Sequence, residues 1–181
     1  MTLSDDERKR AVREALTLML TALGSDHAFD EVFHDVSRSL VPQAPFDRIP
    51  PTTWDDLEAR WYVRPRHTFG QQSYQLTAEG WIAALKVAKQ FDTPEQRDRI
   101  VGLRRALVDL NKGRPPYGTL TDVTTLVSRS GLPRAWVESA IQSQLLTRWF
   151  PDDHVELELD RGMIRIPSRF GADELDFDPD E

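Results

Sequence analysis

The sequence holds no cysteine among its 181 residues. That absence excludes a disulfide framework, thiolate zinc sites, iron–sulfur ligation and a cysteine nucleophile. It leaves the compartment open, because a reducing cytoplasm makes such an absence unremarkable. No apolar run is long enough for a membrane span. Also missing are a glycine-rich phosphate loop ending in Gly-Lys-Ser/Thr, a nucleophile elbow and a paired His-Glu-x-x-His. What remains is a globular composition with 39% hydrophobic residues. Its length suits one ordinary domain, or two small ones of about 80–90 residues.

The formal charge of −7 is unevenly placed. Residues 172–181 (ADELDFDPDE) hold six acids and no base, so the other 171 residues carry 23 bases and 24 acids, a net of −1. Residues 1–92 carry 11 bases and 14 acids, and residues 93–171 carry 12 and 10. Any attraction to nucleic acid therefore belongs to the second half. The acidic tail beside it either opposes that attraction or is a solvated terminus.

Arg8, Lys9, Arg10 and Arg13 precede the apolar stretch 15–23, which loosely imitates a signal peptide. Asp5, Asp6, Glu7 and Glu14 spoil the basic region, and Val12, Leu16, Met19 and Leu23 share one helical face. Ser4 and Glu7 form a capping box. The expectation is a core helix over 4–23 and a cytoplasmic protein. A second helix is expected over 29–40, with Phe29, Val32, Phe33, Val36 and Leu40 as its apolar stripe. Thr53 is read as the cap of a short helix over 54–60, and Trp61-Tyr62-Val63-Arg64 as strand-like. Thr77 caps a helix over 78–91. Asp92-Thr93-Pro94-Glu95 marks the junction, with a helix beyond it to about residue 110. Helices over 121–130 and 133–149 flank Gly131. A strand over 154–160 turns at Asp160-Arg161-Gly162 and returns over 163–167.

Residues 120–167 resemble a winged helix-turn-helix. The pattern is Leu120, Val123, Leu126-Val127, Gly131-Leu132, Val137, Ala140-Ile141 and Leu145, followed by a hairpin. Gly131 supplies the positive φ that a tight turn between crossing helices requires. The first half resembles the same superfamily through Tyr74-Gln75-Leu76-Thr77-Ala78-Glu79-Gly80. That run is similar to the Y-x-L-T-x-x-G segment in which a last wing strand passes into a closing helix. The resemblance implies a fold that is mainly α with small β-hairpins (α+β), two winged-helix domains in tandem. Residues 1–92 form a winged-helix-like domain, 93–171 a winged helix-turn-helix domain, and 172–181 an acidic disordered tail.

The same resemblance implies double-stranded DNA as partner and a transcriptional-regulator type of function. Arg134, Trp136, Ser139 and Gln142 would face a groove with Glu138 among them, and Arg129, Arg161 and Arg165 would meet phosphates. In the first half, Arg64 and Arg66 would lie on the wing near His67, Gln71 and Gln72. The helix Trp54-Asp55-Asp56-Leu57-Glu58-Ala59-Arg60 carries three acids and one base, which sets it against a phosphate backbone. A protein partner is the other expectation, with Trp136 as interface candidate or else packed inward. The chain is similar in size, domain count and acidity to the kite subunits of SMC-type complexes, without a residue motif specific to them. A homodimer is expected on either reading.

No enzymatic chemistry, cofactor or metal is expected. His27, Glu31 and His34 stand at i, i+4 and i+7, an acceptable ligand spacing. On a helix, however, they would lie opposite the apolar stripe, as a solvated face does. Asp152 with Glu156 and Glu158 faintly resembles a carboxylate nuclease motif, but the lysine that chemistry uses is missing.

Overall fold

A serine followed three residues later by a glutamate closes a helix start, because each side chain answers an amide the helix leaves unpaired. The Ser4 amide donates to Glu7 Oε2 at 2.8 Å, and the Glu7 amide reaches Ser4 Oγ at 3.4 Å. From that cap runs α1, Asp5–Leu23. The computed structural model of the chain describes residues 3–23, 32–34, 45–68, 71–112, 118–150, 157–167 and 170. These residues hold seven α-helices and two small antiparallel sheets of three strands each, so the fold is mixed and mostly helical. They divide into two compact units, Met1–Thr93 and Pro94–Glu181. Among the described residues no helix is long and apolar enough to cross a membrane.

In the first unit α1 is followed by β1 (Val32–His34), a 3-10 turn (Phe46–Arg48) and α2 (Pro51–Ala59). Then come β2 (Val63–Thr68), β3 (Gln71–Leu76) and α3 (Ala78–Val87). β3 lies between β1 and β2, with Tyr74 opposite Phe33 on one side and Pro65 on the other. Val12, Ala15, Leu16, Met19 and Leu20 of α1 are buried, as are Trp54 and Leu57 of α2 and Trp81, Ile82 and Leu85 of α3. Trp54 stacks on Tyr74 with ring centroids 4.8 Å apart and planes 18° apart. Arg8 of α1 forms an ion pair with Asp56 of α2, its Nε donating to Oδ2 at 2.9 Å.

The Tyr74–Gly80 motif joins β3 to α3, and Thr77 and Gly80 each have a mechanical role in it. Thr77 Oγ1 accepts the Gly80 amide at 3.0 Å and caps α3, while its hydroxyl donates to the Trp61 carbonyl. The Thr77 amide donates to the Tyr62 carbonyl at 3.0 Å. Gly80 is then drawn so close that a Cβ there would run into the Tyr62 carbonyl oxygen and come within 2.7 Å of Leu76 Cδ1. Only glycine lets α3 seat against the segment between α2 and β2.

Several sequence expectations fail in this unit: the helix expected over 78–91 ends at Val87, and Trp61 and Tyr62, expected as strand-like, turn the chain before β2. The described part of the stretch expected as a helix over 29–40 is the strand β1. Three residues gain backbone hydrogen bonds from β3, and that tertiary pairing outweighs the local helical spacing. His34 therefore stands on a strand, and the helical spacing of His27, Glu31 and His34 does not apply; His27 and Glu31 lie outside the described residues. In α2 the first helical position is Pro51, whose missing amide is harmless there, so Thr53 is buried inside the helix and caps nothing.

The second unit runs α4 (Pro94–Asn111), β4 (Thr119–Asp122), α5 (Val123–Ser130) and α6 (Arg134–Gln142). It ends with α7 (Leu145–Trp149), β5 (Glu158–Asp160) and β6 (Met163–Ile166). β6 lies between β4 and β5, so both units place the third strand of the sheet in its middle. Ile100, Leu103, Leu107, Leu126, Val137, Ile141, Leu145, Ile164 and Ile166 form the core. Asn111 closes it: Thr119 Oγ1 donates to Asn111 Oδ1 at 2.9 Å, and Asn111 Nδ2 donates to the carbonyls of Pro167 at 3.0 Å and Phe170 at 3.2 Å. Gly131 ends α5 at φ +67.

The expected helix over 121–130 begins two residues late, because Thr121 and Asp122 belong to β4 and pair with β6. The expected helix over 133–149 is two helices. Gln144 breaks it at φ +52, and its side-chain amide bonds the backbone of Leu157, donating to its carbonyl at 2.8 Å and accepting its amide at 3.2 Å. The pairing that holds the start of the hairpin thus replaces a turn of helix. Of the expected strand over 154–160, the last three residues are β5 and residues 154–156 lie outside the described residues, as does the acidic tail 172–181.

Gly80→Ala is expected to destabilise the first unit by about 1–3 kcal/mol or more, because the clash is with backbone and cannot be relieved by a rotamer. Chemical denaturation followed by tryptophan fluorescence, with Gly102→Ala as control, checks it. Gly102 has nothing within 4 Å of where its Cβ would stand.

Candidate nucleic-acid interface

The turn at Gly131 aims α6 away from α5 with one face toward solvent. That face is Arg134, Glu138 and Gln142, one turn apart in succession. The opposite side is unusually wide: Trp136, Val137, Ser139, Ala140 and Ile141 are all buried. Two of the residues expected at a groove are therefore not at the surface. Ser139 is 2% exposed, inside the packing of α6. Trp136 is fully buried, its Nε1 donating to Gln96 Oε1 at 3.3 Å, with Arg99 of α4 over its ring at 5.9 Å. As an interface anchor Trp136 is withdrawn, because α4 already covers it.

Arg134 is exposed but engaged. Its Nε donates to Glu138 Oε1 at 2.8 Å, and its Nη1 reaches Thr124 Oγ1 at 3.4 Å. The second contact fixes where Arg134 sits, beside the first turn of α5. The tip of the β5–β6 hairpin also meets that turn, where the Gly162 carbonyl accepts the Val123 amide at 2.8 Å. Arg161, next to it in the turn, is exposed at φ +49, followed by Gly162 at φ +77. Two successive positive φ values define a tight turn whose first position favours asparagine, aspartate or glycine. The structure thus brings Arg134, Thr124 and Arg161 to one end of α5. Thr124 was not foreseen, because nothing in the sequence marks a hydroxyl that an arginine ten residues away will reach.

The other expected residues are more dispersed. Gln142 lies two turns along α6 from Arg134, on the same face. Arg129 is exposed in the last turn of α5, about 9 Å along the helix from Val123. Arg165 is exposed on the outer face of the second sheet, opposite Leu120 and Glu158. Arg64 and Arg66 are exposed on β2 in the first unit, and Arg64 donates through Nε and Nη2 to Gln75 Oε1 at 2.9 and 2.7 Å. On α2, Asp55 and Glu58 are exposed while Asp56 is bound to Arg8. Among the described residues no group of three or more histidine, aspartate or glutamate side chains is placed to hold a metal ion.

Asp122 caps α5 and sets its electrostatics. The Thr125 hydroxyl donates to Oδ2 at 2.7 Å and the Thr125 amide to Oδ1 at 2.9 Å. These bonds, the hydroxyl first, hold the Asp122 carboxyl below its ordinary value. Asp56 is lowered likewise, chiefly by the hydrogen bond from Arg8.

No family model matches the chain, and neither a curated protein nor a solved structure matches it.

A carboxyl with a lowered folded-state pKa contributes stability that is complete above its unfolded value, about 3.9, and lost as pH falls through the lowered one. Asp122→Asn keeps an acceptor for Thr125 but does not titrate. Its deficit in the thermal midpoint relative to wild type should therefore be largest near pH 5–7 and shrink as pH falls toward about 2. A deficit that is the same at every pH would show that the cap does not depend on charge.

Proposed function

We propose that the chain is a non-enzymatic tandem winged-helix protein whose second unit binds duplex DNA in the manner of a transcriptional regulator. The topology supports the fold: in both units a helix and a strand lead, a helical stretch and a hairpin follow, and the third strand lies in the middle of the sheet, although among the described residues that stretch is one α-helix and a 3-10 turn in the first unit and three α-helices in the second. The observation that carries the function is Arg161. An exposed arginine occupies a left-handed position that asparagine would fill at lower cost, next to the Gly162 carbonyl that bonds the first turn of α5, the turn whose Thr124 Arg134 reaches. Strain retained under an exposed cation points to a use for that cation. In this reading Arg161 and Arg134 take phosphates, Thr124 adds a hydroxyl beside Arg134, and Gln142 meets a base edge farther along α6. Arg129 and Arg165 are outlying phosphate contacts. Glu138 restrains Arg134 until a phosphate competes for it. A homodimer and a cytoplasmic location belong to the same proposal.

The test is a salt titration of duplex binding with the full chain. Arg134→Ala and Arg161→Asn should each weaken binding by about tenfold at low salt and flatten the log–log salt slope by about 0.9. Arg161→Asn leaves the fold as stable or more so, since asparagine tolerates the left-handed region. Glu138→Gln should tighten binding. Arg105→Ala, an exposed arginine on α4, should leave it unchanged. No binding at low salt, or equal losses in all the arginine variants, overturns the reading.

A second reading is an accessory subunit, kite-like, of a larger DNA-associated complex. The acidic exposed residues of α2, Asp55 and Glu58, favour it, because that helix repels a phosphate backbone and suits a protein.

A further inference from the structure

The tryptophans divide sharply. Trp54, Trp81 and Trp136 are fully buried, and Trp149 is half-buried under Arg97. Trp61 is 76% exposed. An indole left in water gives up the apolar burial that makes the residue useful to a core.

Its backbone is unfavourable too. Trp61 sits at φ +59, just past the end of α2. Its amide donates to the Glu58 carbonyl at 2.9 Å, and the Tyr62 amide donates to the Leu57 carbonyl at 2.9 Å. These two bonds are the Schellman closure of a helix, whose left-handed position glycine fills by default. A bulky aromatic residue there is a real outlier. Neither the cap nor the core calls for tryptophan at this place, and glycine would close the helix at lower cost.

The surroundings are acidic. Asp55 and Glu58 are exposed on α2, one turn apart, and Glu79 is exposed in the first turn of α3. Thr77, which caps that turn, donates its hydroxyl to the Trp61 carbonyl, so the end of α2 and the start of α3 meet at this residue. The carbonyl end of α2 adds partial negative charge. Arg60 is exposed beside them and acts on Asp56, which Arg8 already holds. Indole is the best ring for a lysine or arginine to lie on, and tryptophan is enriched among the residues that anchor protein interfaces. Carboxylates around such a ring select a cationic occupant and repel a nucleic acid.

We propose that Trp61, at the end of the helix that exposes Asp55 and Glu58, is the docking site for a basic segment of a partner protein, whose arginine or lysine lies on the indole. The site belongs to the first unit alone. It rests on the accessory-subunit reading only in requiring a protein partner, and DNA binding by the second unit is independent of it.

The test selects binders to the immobilised full chain from a random peptide library. Each selected peptide is then titrated against wild type, Trp61→Gly, Glu58→Lys and Arg134→Ala. Peptides rich in arginine or lysine are expected. Their affinity should fall about tenfold or more on Trp61→Gly, fall on Glu58→Lys, weaken with salt and stay unchanged on Arg134→Ala. Trp61→Gly should at the same time raise the thermal midpoint, which excludes unfolding as the cause of lost binding. Basic peptides that bind wild type and Trp61→Gly equally overturn this site and leave the accessory-subunit reading standing. Selection of neutral or acidic peptides, or of none, overturns the proposal.

Discussion

Each unit depends on the strand in the middle of its sheet. β3 pairs with β2 across the hairpin and with β1, and β6 does the same with β5 and β4. Without that strand the leading segment has no partner, and a hairpin alone is marginal in water. Pairing on both edges fixes the rest. The buried side chains of the middle strand, Tyr74 and Leu76 in one unit and Ile164 and Ile166 in the other, form the floor on which the helices pack. In the second unit the same strand also sets the geometry at the start of α5, because the turn leading into β6 bonds its first turn. Arg161 is therefore held by the sheet, and Arg134 reaches Thr124 of that turn from α6.

What the sequence shows of this fold follows how local each signal is. The capping box at Ser4, the cap at Thr77 and the glycine at 131 act over three or four residues, and the structure has them where the spacing predicts. The Tyr74–Gly80 motif is legible because a close backbone approach demands glycine. Two of the short strands are not legible, unlike β5 and β6, whose hairpin turn at Asp160-Arg161-Gly162 marks them. β1 has three residues and β4 four, and both exist because a distant strand pairs with them. In β4 the alternation even runs against hydrophobicity, with Thr119 and Thr121 buried and Leu120 64% exposed. The break at Gln144 carries no proline or glycine signal, because a side chain bonded to the backbone of Leu157 stabilises it.

The candidate site was legible in its charges and not in its directions. α6 buries more than half its circumference, so periodicity alone cannot tell that Ser139 and Trp136 face inward. Composition also overstated the positive field. Arg97, Arg99 and Arg104 on α4 lie over the rings of Trp149, Trp136 and Phe150 at 5.0–5.9 Å. Those guanidiniums serve the packing of α4 on α6 and the α7 region, as amphipathic side chains do when an aromatic face is offered. The cations left for a ligand are fewer than the net charge of residues 93–171 suggests, and their placement matters more than their number.

Among the described residues, four other than glycine stand at positive φ: Trp61, Lys89, Gln144 and Arg161. Each carries a cost of about 1–3 kcal/mol that something must offset. For Gln144 the offset is visible in its two hydrogen bonds to Leu157. Lys89 follows the last turn of α3, where a cation is favoured by the carbonyl end of the helix. Trp61 and Arg161 are different, because in both the side chain points to water from a backbone position that a smaller residue would occupy more cheaply. One follows a helix that carries the exposed carboxylates Asp55 and Glu58, and the other adjoins Gly162, whose carbonyl bonds the start of α5. Their chemistry is opposite, and this is why the two proposals assign them different ligands: a cationic segment to the first and an anionic backbone to the second.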